Sequence, residues 1–141
     1  MSELGGERLD AALLLITSIG YKDARDPRTR STSERIKERL GRNGLLYRYE
    51  DGYDEVPSQE GAFGICGFWA IDGQAKRGDI DEAHQTLEHL FSYANDVGLF
   101  AEEIDVKTGA ALGNFPQAFT HVGLINAAIT LEAARRAQDR A

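Results

Sequence analysis

Two adjacent carboxylates, Glu102 and Glu103, are the groups in this chain best suited to chemistry. They lie between an apolar stretch at 97–100 and an Asp-x-x-Thr-Gly turn at 105–109, so the loop that carries them is short and held at both ends. A carboxylate on a rigid loop can act as a general base, which removes a proton from a bound water. Because the two are neighbours in sequence, we expect their side chains to diverge. The pattern alone is more typical of a solvated surface pair, and both interpretations stay open.

A second group of candidates surrounds Arg48 and Asp51, in a segment at 47–54 that holds three tyrosines, one arginine and several acids. Arginine and carboxylate side chains hydrogen-bond hydroxyl groups, and aromatic rings stack on sugar faces, so the composition suits a carbohydrate site. A polar loop whose tyrosines cover the core is an equally good interpretation. Glu60 and Phe63 follow at the start of a predicted helix, where Glu60 either complements the helix dipole, the commoner case, or points into a cavity.

The histidines, the cysteine and the tryptophan offer less chemistry. His84 and His89 are five residues apart on an amphipathic helix, which misses the i, i+4 spacing of a metal pair, and we interpret both as surface or boundary residues. His121 is interpreted as a hydrogen-bonded core residue, Trp69 as core and Cys66 as a small buried hydrophobe. With three histidines and one cysteine, the sequence predicts neither a metal site nor a cofactor.

Composition narrows the class of protein. The chain has 141 residues, enough for one domain, and its net charge of -7 makes nucleic acid and anionic membrane poor partners. Its apolar runs fall far short of the ~20 residues that span a bilayer. No charged-then-apolar signal segment opens the sequence, so we expect a cytoplasmic protein.

The hydrophobic pattern predicts five helices and almost no strand, in a single all-α domain over residues 1–141. Asp26 and Pro27 have the residue types of a helix cap and a first helical position, and Gly41 ends that helix. Asp79 and Glu82 have the spacing of a capping box. The predicted helices cover about 8–19, 27–40, 58–77, 79–94 and 115–138, the last capped by Asn114.

Apolar helices alternate with polar or amphipathic ones along the chain, so the first, third and fifth are predicted to be inner and the others outer. This alternation predicts part of a toroid of helical hairpins; a stacked repeat array is the alternative, disfavoured because no motif repeats. Five helices cannot close a ring, and the terminal inner helices would expose apolar flanks. We therefore expect a covering partner, a homo-oligomer or a longer chain.

Five blocks of sequence stand out along the chain, at 9–15, 44–49, 60–63 with Phe68-Trp69, 99–105 and 113–119. In their order and spacing they resemble glycoside hydrolase family 15, the glucoamylase-like enzymes. The resemblance covers about 8–137 and corresponds only to the C-terminal part of that family's catalytic domain. It implies an (α/α)6 toroid, of which these would be the eighth to twelfth helices.

The family hydrolyses α-glucosidic bonds with inversion and uses two glutamates, and the resemblance implies that Glu102 is the general base, with Glu103 as the fallback. The implied substrate is a maltooligosaccharide or trehalose. The resemblance also assigns sugar-binding positions: Arg48 in the subsite of the cleaved sugar, Asp51 as a neighbouring acid, and Glu60 and Phe63 at the mouth of the tenth helix.

The family's general acid lies in a segment that no part of this chain resembles. We therefore predict that the chain alone is inactive or nearly so. It is expected to be a piece of a longer enzyme, the product of a truncated gene, or a chain that needs a partner to supply the N-terminal half. Two alternatives to a glucoamylase-like segment stay open: a trehalase segment of the same family, and a non-catalytic helical module that binds glycan or protein.

Overall fold

Helices dominate the computed structural model, which describes residues 6–50 and 60–140. A 3-10 helix over Ala11–Ile16 is followed by four α-helices, and within the described residues the fold is mainly α, as predicted. The α-helices are α1 (Pro27–Leu40), α2 (Gly64–Arg77), α3 (Ile80–Phe91) and α4 (Ala118–Gln138).

A short hairpin that the sequence analysis missed follows α1. Strands β1 (Gly41–Arg42) and β2 (Leu45–Leu46) pair antiparallel, with Gly41 opposite Leu46. Asn43 and Gly44 make the turn with φ of 52° and 78°. Two successive left-handed residues match the twist of a tight hairpin, which is why Asn-Gly is a strong signal for one.

Three further strands of two residues each bring the two candidate loops together. They are β3 (Ala62–Phe63), β4 (Glu103–Ile104) and β5 (Ala111–Leu112), in the antiparallel order β3-β4-β5. The loop after α1 thereby pairs with the loop after α3, and Asn43 Nδ2 donates a hydrogen bond of 2.9 Å to the Val106 carbonyl. The two loops therefore lie at the same end of the helices.

The helix α2 is the centre of the fold, with buried residues on most of its faces, and α3, α4 and the 3-10 helix all pack against it. Glycines allow the close approaches. A Cβ at Gly67 would lie 2.7 Å from Leu90 Cδ1 on α3, and one at Gly123 on α4 would lie 3.2 Å from the Cβ of Phe68. Close helix packing thus explains Gly67.

The first predicted helix is wrong in type and extent, since only Ala11–Ile16 is helical and it is a 3-10 helix. Asp10 forms an antiparallel bridge with Tyr49, and the Ala11 amide donates to the Arg48 carbonyl at 3.0 Å. Pairing with this segment keeps residues up to Asp10 extended, so the helix begins late.

Two other helices begin later in the chain than the sequence predicts. The third predicted helix begins at Gly64 because Ala62 and Phe63 pair with β4; its predicted cap, Ser58, lies outside the described residues. The fifth begins at Ala118, where the side chain of Gln117 accepts from the Phe119 amide at 3.4 Å. Asn114 is therefore not its cap.

The predicted capping box at the start of α3 does not form. Asp79 is the residue before the helix, but its carboxylate accepts from Arg77 Nε at 2.9 Å and makes no cap hydrogen bond. Glu82 instead pairs with Lys37 of α1 at 2.7 Å. Ion pairs to neighbouring side chains have replaced the local backbone contacts. At α1 the cap is confirmed, since Asp26 Oδ1 accepts from the Arg28 amide at 2.8 Å.

The helix α4 buries one narrow stripe and leaves another apolar stripe exposed. Phe119, Val122, Ile125 and Ile129 are 52–72% exposed on α4. A role for α4 as an inner helix of a toroid stays a prediction, as does the single domain, because the described residues contain no second layer over this face. The buried stripe consists of Thr120, Gly123, Ala127 and Leu131.

Candidate functional site

A tight hairpin carries the two candidate glutamates. Its turn is held by Asp105, whose Oδ1 accepts from the amides of Lys107 and Thr108 at 2.8 Å each, and Gly109 turns the chain with φ of 74°. These two amides, Thr108 first, hold the pKa of Asp105 below its ordinary value. The turn sets the register of β4 with β5, in which Glu103 lies opposite Leu112.

That register places Glu102 against Gly113 and Asn114. The backbone amide and Nδ2 of Asn114 both donate to the same carboxylate oxygen, Oε2 of Glu102, at 3.1 and 2.7 Å. The Glu102 amide donates back to the Asn114 carbonyl at 2.9 Å, and its carbonyl accepts from Gly64 at the start of α2 at 3.0 Å. The residue is thus fixed by backbone and side chain together.

Gly113 is required by the position of the Glu102 carboxylate. A Cβ at residue 113 would lie 2.9 Å from Oε2 and 3.0 Å from Cβ of Glu102. Its φ of 69° also lies in the left-handed region that favours glycine. A side chain at this position would collide with the observed carboxylate. It would also strain the backbone, because its φ is positive.

Glu103 points elsewhere, as expected for a neighbour on a strand. Its Oε2 accepts from the Gly61 amide at 2.7 Å, which ties β4 to the segment before α2. Burial raises the pKa of Glu103; the hydrogen bond from Gly61 acts in the opposite direction, and the charges of Glu60 and Glu102 raise it further. Glu103 therefore has a structural partner and a carboxyl group that is harder to ionise than usual.

Arg48 is held between an acid and two aromatic rings. Its Nε lies 2.8 Å from Asp10 Oδ1, and its guanidinium carbon lies 5.1 Å from the centre of the Trp69 ring and 5.2 Å from that of Tyr49. A planar guanidinium stacked in this way keeps its orientation. Trp69, predicted as core, is only partly buried and also supports Arg48.

The remaining predicted residues divide between the β3–β4 pair and the part of the chain that is not described. Phe63 lies opposite Glu103 in the sheet, and its ring packs against the same core cluster as Tyr47 and Trp69. Glu60 is exposed, and it lies close enough to Glu103 for its charge to raise the pKa of Glu103. Asp51 lies outside the described residues.

The structure therefore brings four of the candidates together: Glu60, Phe63, Glu102 and Glu103 lie on or beside the β3–β4 pair. Arg48 joins them only indirectly, because Trp69, which its guanidinium contacts, packs against the same core cluster as Phe63. Among the described residues, the Arg48 side chain contacts Asp10 and the rings of Tyr49 and Trp69.

Asn114 and Gly113 are the positioning residues that the sequence analysis missed. The available signal was the Asp-x-x-Thr-Gly turn, because a tight turn at 105–110 brings residue 102 opposite 113 in an antiparallel hairpin. His121 was identified correctly as a hydrogen-bonded residue. Its Nε2 accepts from the Phe100 amide at 3.3 Å and its Nδ1 donates to the Gln117 carbonyl at 2.8 Å.

Cys66 is buried in the second core cluster, as predicted, and burial raises the pKa of its thiol to about 12. The thiol stays protonated and is not a nucleophile at neutral pH. Among residues 6–50 and 60–140, no group of three or more His, Cys, Asp and Glu side chains is arranged to hold a metal ion. In the same part of the chain, every helix is too short or too polar to cross a bilayer.

The helices bring two loops to one end, where hydrogen bonds fix a glutamate, and the protein is mainly α. The sequence model of Glycosyl hydrolases family 15 matches residues 2–129, and the chain belongs to this family. The resemblance noted from the sequence is confirmed.

Curated relatives carry the name trehalase. The chain is 44% identical over 127 residues to the trehalase of Mycolicibacterium smegmatis, covering 89% of this chain and 19% of that protein. It is 39% identical over 130 residues to the trehalase of Thermoplasma acidophilum, covering 92% of this chain and 22% of that protein. The chain thus spans about a fifth of the length of the relatives it matches. No solved structure matches it.

Proposed function

We propose that this chain supplies the general base of a glycoside hydrolase that cleaves an α-glucoside, and that the base is Glu102. The observation that carries the proposal is the double hydrogen bond from Asn114 to one oxygen of Glu102. Among the described residues the other oxygen, Oε1, has no protein partner. A base needs such a free lone pair to accept a proton from water.

Glu103 is the weaker candidate for the base. Its carboxylate holds the Gly61 amide at 2.7 Å, and its neighbours make it harder to ionise. A group with a raised pKa suits an acid better than a base that must be charged at neutral pH. We assign Glu103 the task of joining the two loops at the site.

Inversion requires a second carboxyl group that protonates the leaving oxygen, about 6.5–9.5 Å from the base, with the attacking water between them. Family resemblance places that acid in a segment to which no part of this chain corresponds. A base without its acid loses on the order of 10²–10⁴-fold in rate. The chain alone is therefore expected to be inactive or nearly so.

Arg48 is proposed to bind sugar hydroxyls in the cleaved subsite, because its guanidinium is oriented by Trp69 and by Asp10. Glu60 and Phe63 are proposed to line the pocket beside it, at the end of the helices where Glu102 lies. The role of Asp51 stays a prediction, as does a cytoplasmic location.

Trehalose is the substrate we favour over a maltooligosaccharide. Matched relatives from bacteria and archaea, at 39–44% identity, are named trehalases. The selectivity is expected to depend mostly on residues that recognise the leaving sugar, and family resemblance places most of those outside this chain.

The proposed base is tested in a chimera, in which this chain replaces the matching segment of the Mycolicibacterium smegmatis trehalase. We expect the chimera to hydrolyse trehalose, Glu102→Gln to lower kcat by about 10²–10⁴-fold with little change in KM, and Glu103→Gln to lower it less. Hydrolysis of trehalose, maltose and maltotriose is measured for the chimera and for the purified chain, which should show none.

Three results would contradict the proposal. A larger loss in Glu103→Gln than in Glu102→Gln would reverse the assignment. Turnover by the purified chain that Glu102→Gln abolishes would show that its acid lies within this chain or its homo-oligomer. A folded chimera that binds trehalose without cleaving it would favour the non-catalytic glycan-binding module. Thermal melting of each variant controls for folding.

A further inference from the structure

A groove between α1 and α3 is separate from the candidate site described above. Its floor is α2, one end is closed by the β1–β2 hairpin, and its volume is about 640 Å³. That size falls within the ~300–1,000 Å³ range typical of small-molecule sites. None of Glu102, Glu103, Glu60, Phe63 and Arg48 lines it.

Gln74 on the floor of the groove has an unsatisfied polar atom. The residue is only 6% exposed, and among residues 6–50 and 60–140 its Oε1 has no hydrogen-bond partner. A buried amide oxygen without a hydrogen-bond partner destabilises a fold, so such groups normally have one. Rotation about the last side-chain torsion brings either the oxygen or the nitrogen of the amide to the groove. A ligand that both donates and accepts hydrogen bonds satisfies either orientation.

The charged groups of the groove are largely paired with one another. Lys37 of α1 contacts Glu82 of α3 at 2.7 Å, and Arg77 contacts Asp79 at 2.9 Å. Arg30 also pairs with Asp79, at 3.5 Å. Because the four basic and three acidic side chains of the lining nearly cancel, the groove has no strong field of either sign to attract an ion. With little net charge and an unpartnered Gln74 amide oxygen, the groove favours a neutral ligand.

Apolar surface and a hydroxyl group complete the lining. Ala70 lines the floor one helical turn from Gln74, and Leu45 lines the hairpin end. The hydroxyl of Ser33 lies 3.3 Å from Arg77 Nη1. Pyranose rings and polyols present C–H faces beside hydroxyls that donate and accept, which matches this lining.

We propose that the groove between α1 and α3 binds a small neutral molecule with several hydroxyl groups, a sugar or a polyol, with Gln74 as its central hydrogen-bonding partner. The groove lies on the face of α2 between α1 and α3, and the proposal does not depend on the catalytic role of Glu102. Sugars and polyols share the recognising chemistry, and the test separates them by probe.

The test is a titration of the 15N-labelled full chain with glucose, trehalose, glycerol or sodium sulfate, followed by NMR of side-chain N–H groups. We expect the Gln74 amide and Arg77 Nε signals to shift saturably with a hydroxyl compound and not with sulfate. Gln74→Leu should weaken binding about tenfold or more, because an apolar isostere of similar size makes no hydrogen bond. Gln138→Leu, an exposed change at the end of α4 and away from the groove, is the matched control and should retain binding.

A second variant guards against misfolding of Gln74→Leu. Ala70→Leu leaves Gln74 intact but fills the floor, and it should also abolish the shifts. The Asn114 side-chain amide reports separately on the candidate catalytic site, so shifts of Asn114 alone would support the proposed function and overturn the groove proposal. Equal affinity in Gln74→Leu, a response to sulfate alone, or no saturable shift at Gln74 would each overturn it too.

Discussion

At the scale of single residues, the position of one carboxylate depends on two neighbours that carry no chemistry of their own. Asn114 donates twice to Oε2 of Glu102, and Gly113 leaves the space that the carboxylate occupies. The amide directs one oxygen, and the missing Cβ allows the approach. Changing either neighbour should therefore displace the carboxylate while Glu102 itself is unchanged.

Gly113→Ala is expected to displace the Glu102 carboxylate, because the new Cβ would lie 2.9 Å from Oε2. The matched control is Gly98→Ala, which has a similar φ of 79° but no atom within 4 Å of its Cβ. Both variants should lose about 1–2 kcal/mol of unfolding free energy from the left-handed backbone. Only Gly113→Ala should shift the NMR signals of the two Asn114 amides.

Equal amide spectra in the two glycine variants would contradict the positioning role of Gly113. Loss of the Asn114 signals in Gly98→Ala would show that backbone strain, rather than contact with Glu102, governs them. Urea unfolding measures the stability of both variants under the same conditions.

Glu60→Gln is expected to lower the pKa of Glu103. Burial is the largest cause of the raised pKa, but the charge of Glu60 adds to it, so removing that charge eases ionisation. A pH titration of the Glu103 side-chain carboxyl by 13C NMR measures the change. Glu88→Gln, an exposed change on α3, is the control and should leave the titration unchanged. If the titration midpoint of Glu103 rises or does not change in Glu60→Gln, this electrostatic explanation is wrong.

At the scale of elements, a buried aspartate joins three helical segments. Asp72 of α2 accepts from Thr130 of α4 and from Lys76 of α2 at 2.6 Å each, and from Ser18 after the 3-10 helix at 2.5 Å. It is 7% exposed. Its carboxylate therefore fixes how α4 and the N-terminal segment sit on α2.

Burial alone would raise the pKa of Asp72, but the hydrogen bonds from Lys76, Ser18 and Thr130 together hold it below the ordinary 3.8. A carboxylate with a lowered folded pKa stabilises the protein above its unfolded pKa of about 3.9 and loses that contribution as pH falls through the folded value. The stabilisation by Asp72 is thus complete at pH 7 and declines below about pH 4.

Asp72→Asn should lower the unfolding free energy by about 2–3 kcal/mol at pH 7, because a charged acceptor of three hydrogen bonds is lost. The difference from the unmodified chain should shrink when urea unfolding is repeated near pH 3. Glu38→Gln, which removes an exposed ion pair with Arg35, is the control and should change little. A difference that is small at pH 7, or that grows on acidification, would refute the role assigned to Asp72.

At the scale of the whole molecule, the exposed face of α4 is the main departure from an ordinary water-soluble surface. Phe119, Val122, Ile125 and Ile129 follow one another at helical spacing, and each is at least 52% exposed. Contiguous apolar surface of this kind marks a contact face. We propose that the remainder of a family 15 catalytic domain covers it, and that in the isolated chain a second copy does so.

The purified chain is accordingly expected to self-associate and to bind an apolar dye. Ile125→Gln should weaken the association about tenfold or more by sedimentation, since each copy loses a buried isoleucine at the contact. Ile19→Gln is the matched control, because Ile19 is 73% exposed but lies outside α4. A monomer at every concentration, without dye binding, would argue against an α4 contact face.

The order of residues was sufficient to predict the mainly α fold, the bounds of α1 and the loop of paired glutamates, because these features depend on local pattern. Helix periodicity, the cap at Asp26 and the turn at Asp105 act over a few residues. The family was recognisable for the same reason, since its blocks of sequence keep their order and spacing.

Local sequence patterns did not predict the contacts between segments that are distant in sequence. Pairing of Asp10 with Tyr49 shortens the first helix, and pairing of Phe63 with Glu103 delays α2. The carboxylate of Glu102 takes its direction from Asn114, whose type alone was equally typical of a helix cap. In each case a local backbone preference competes with a contact to a partner that is distant in sequence. Only the three-dimensional arrangement shows that the distant contact overrides the local preference.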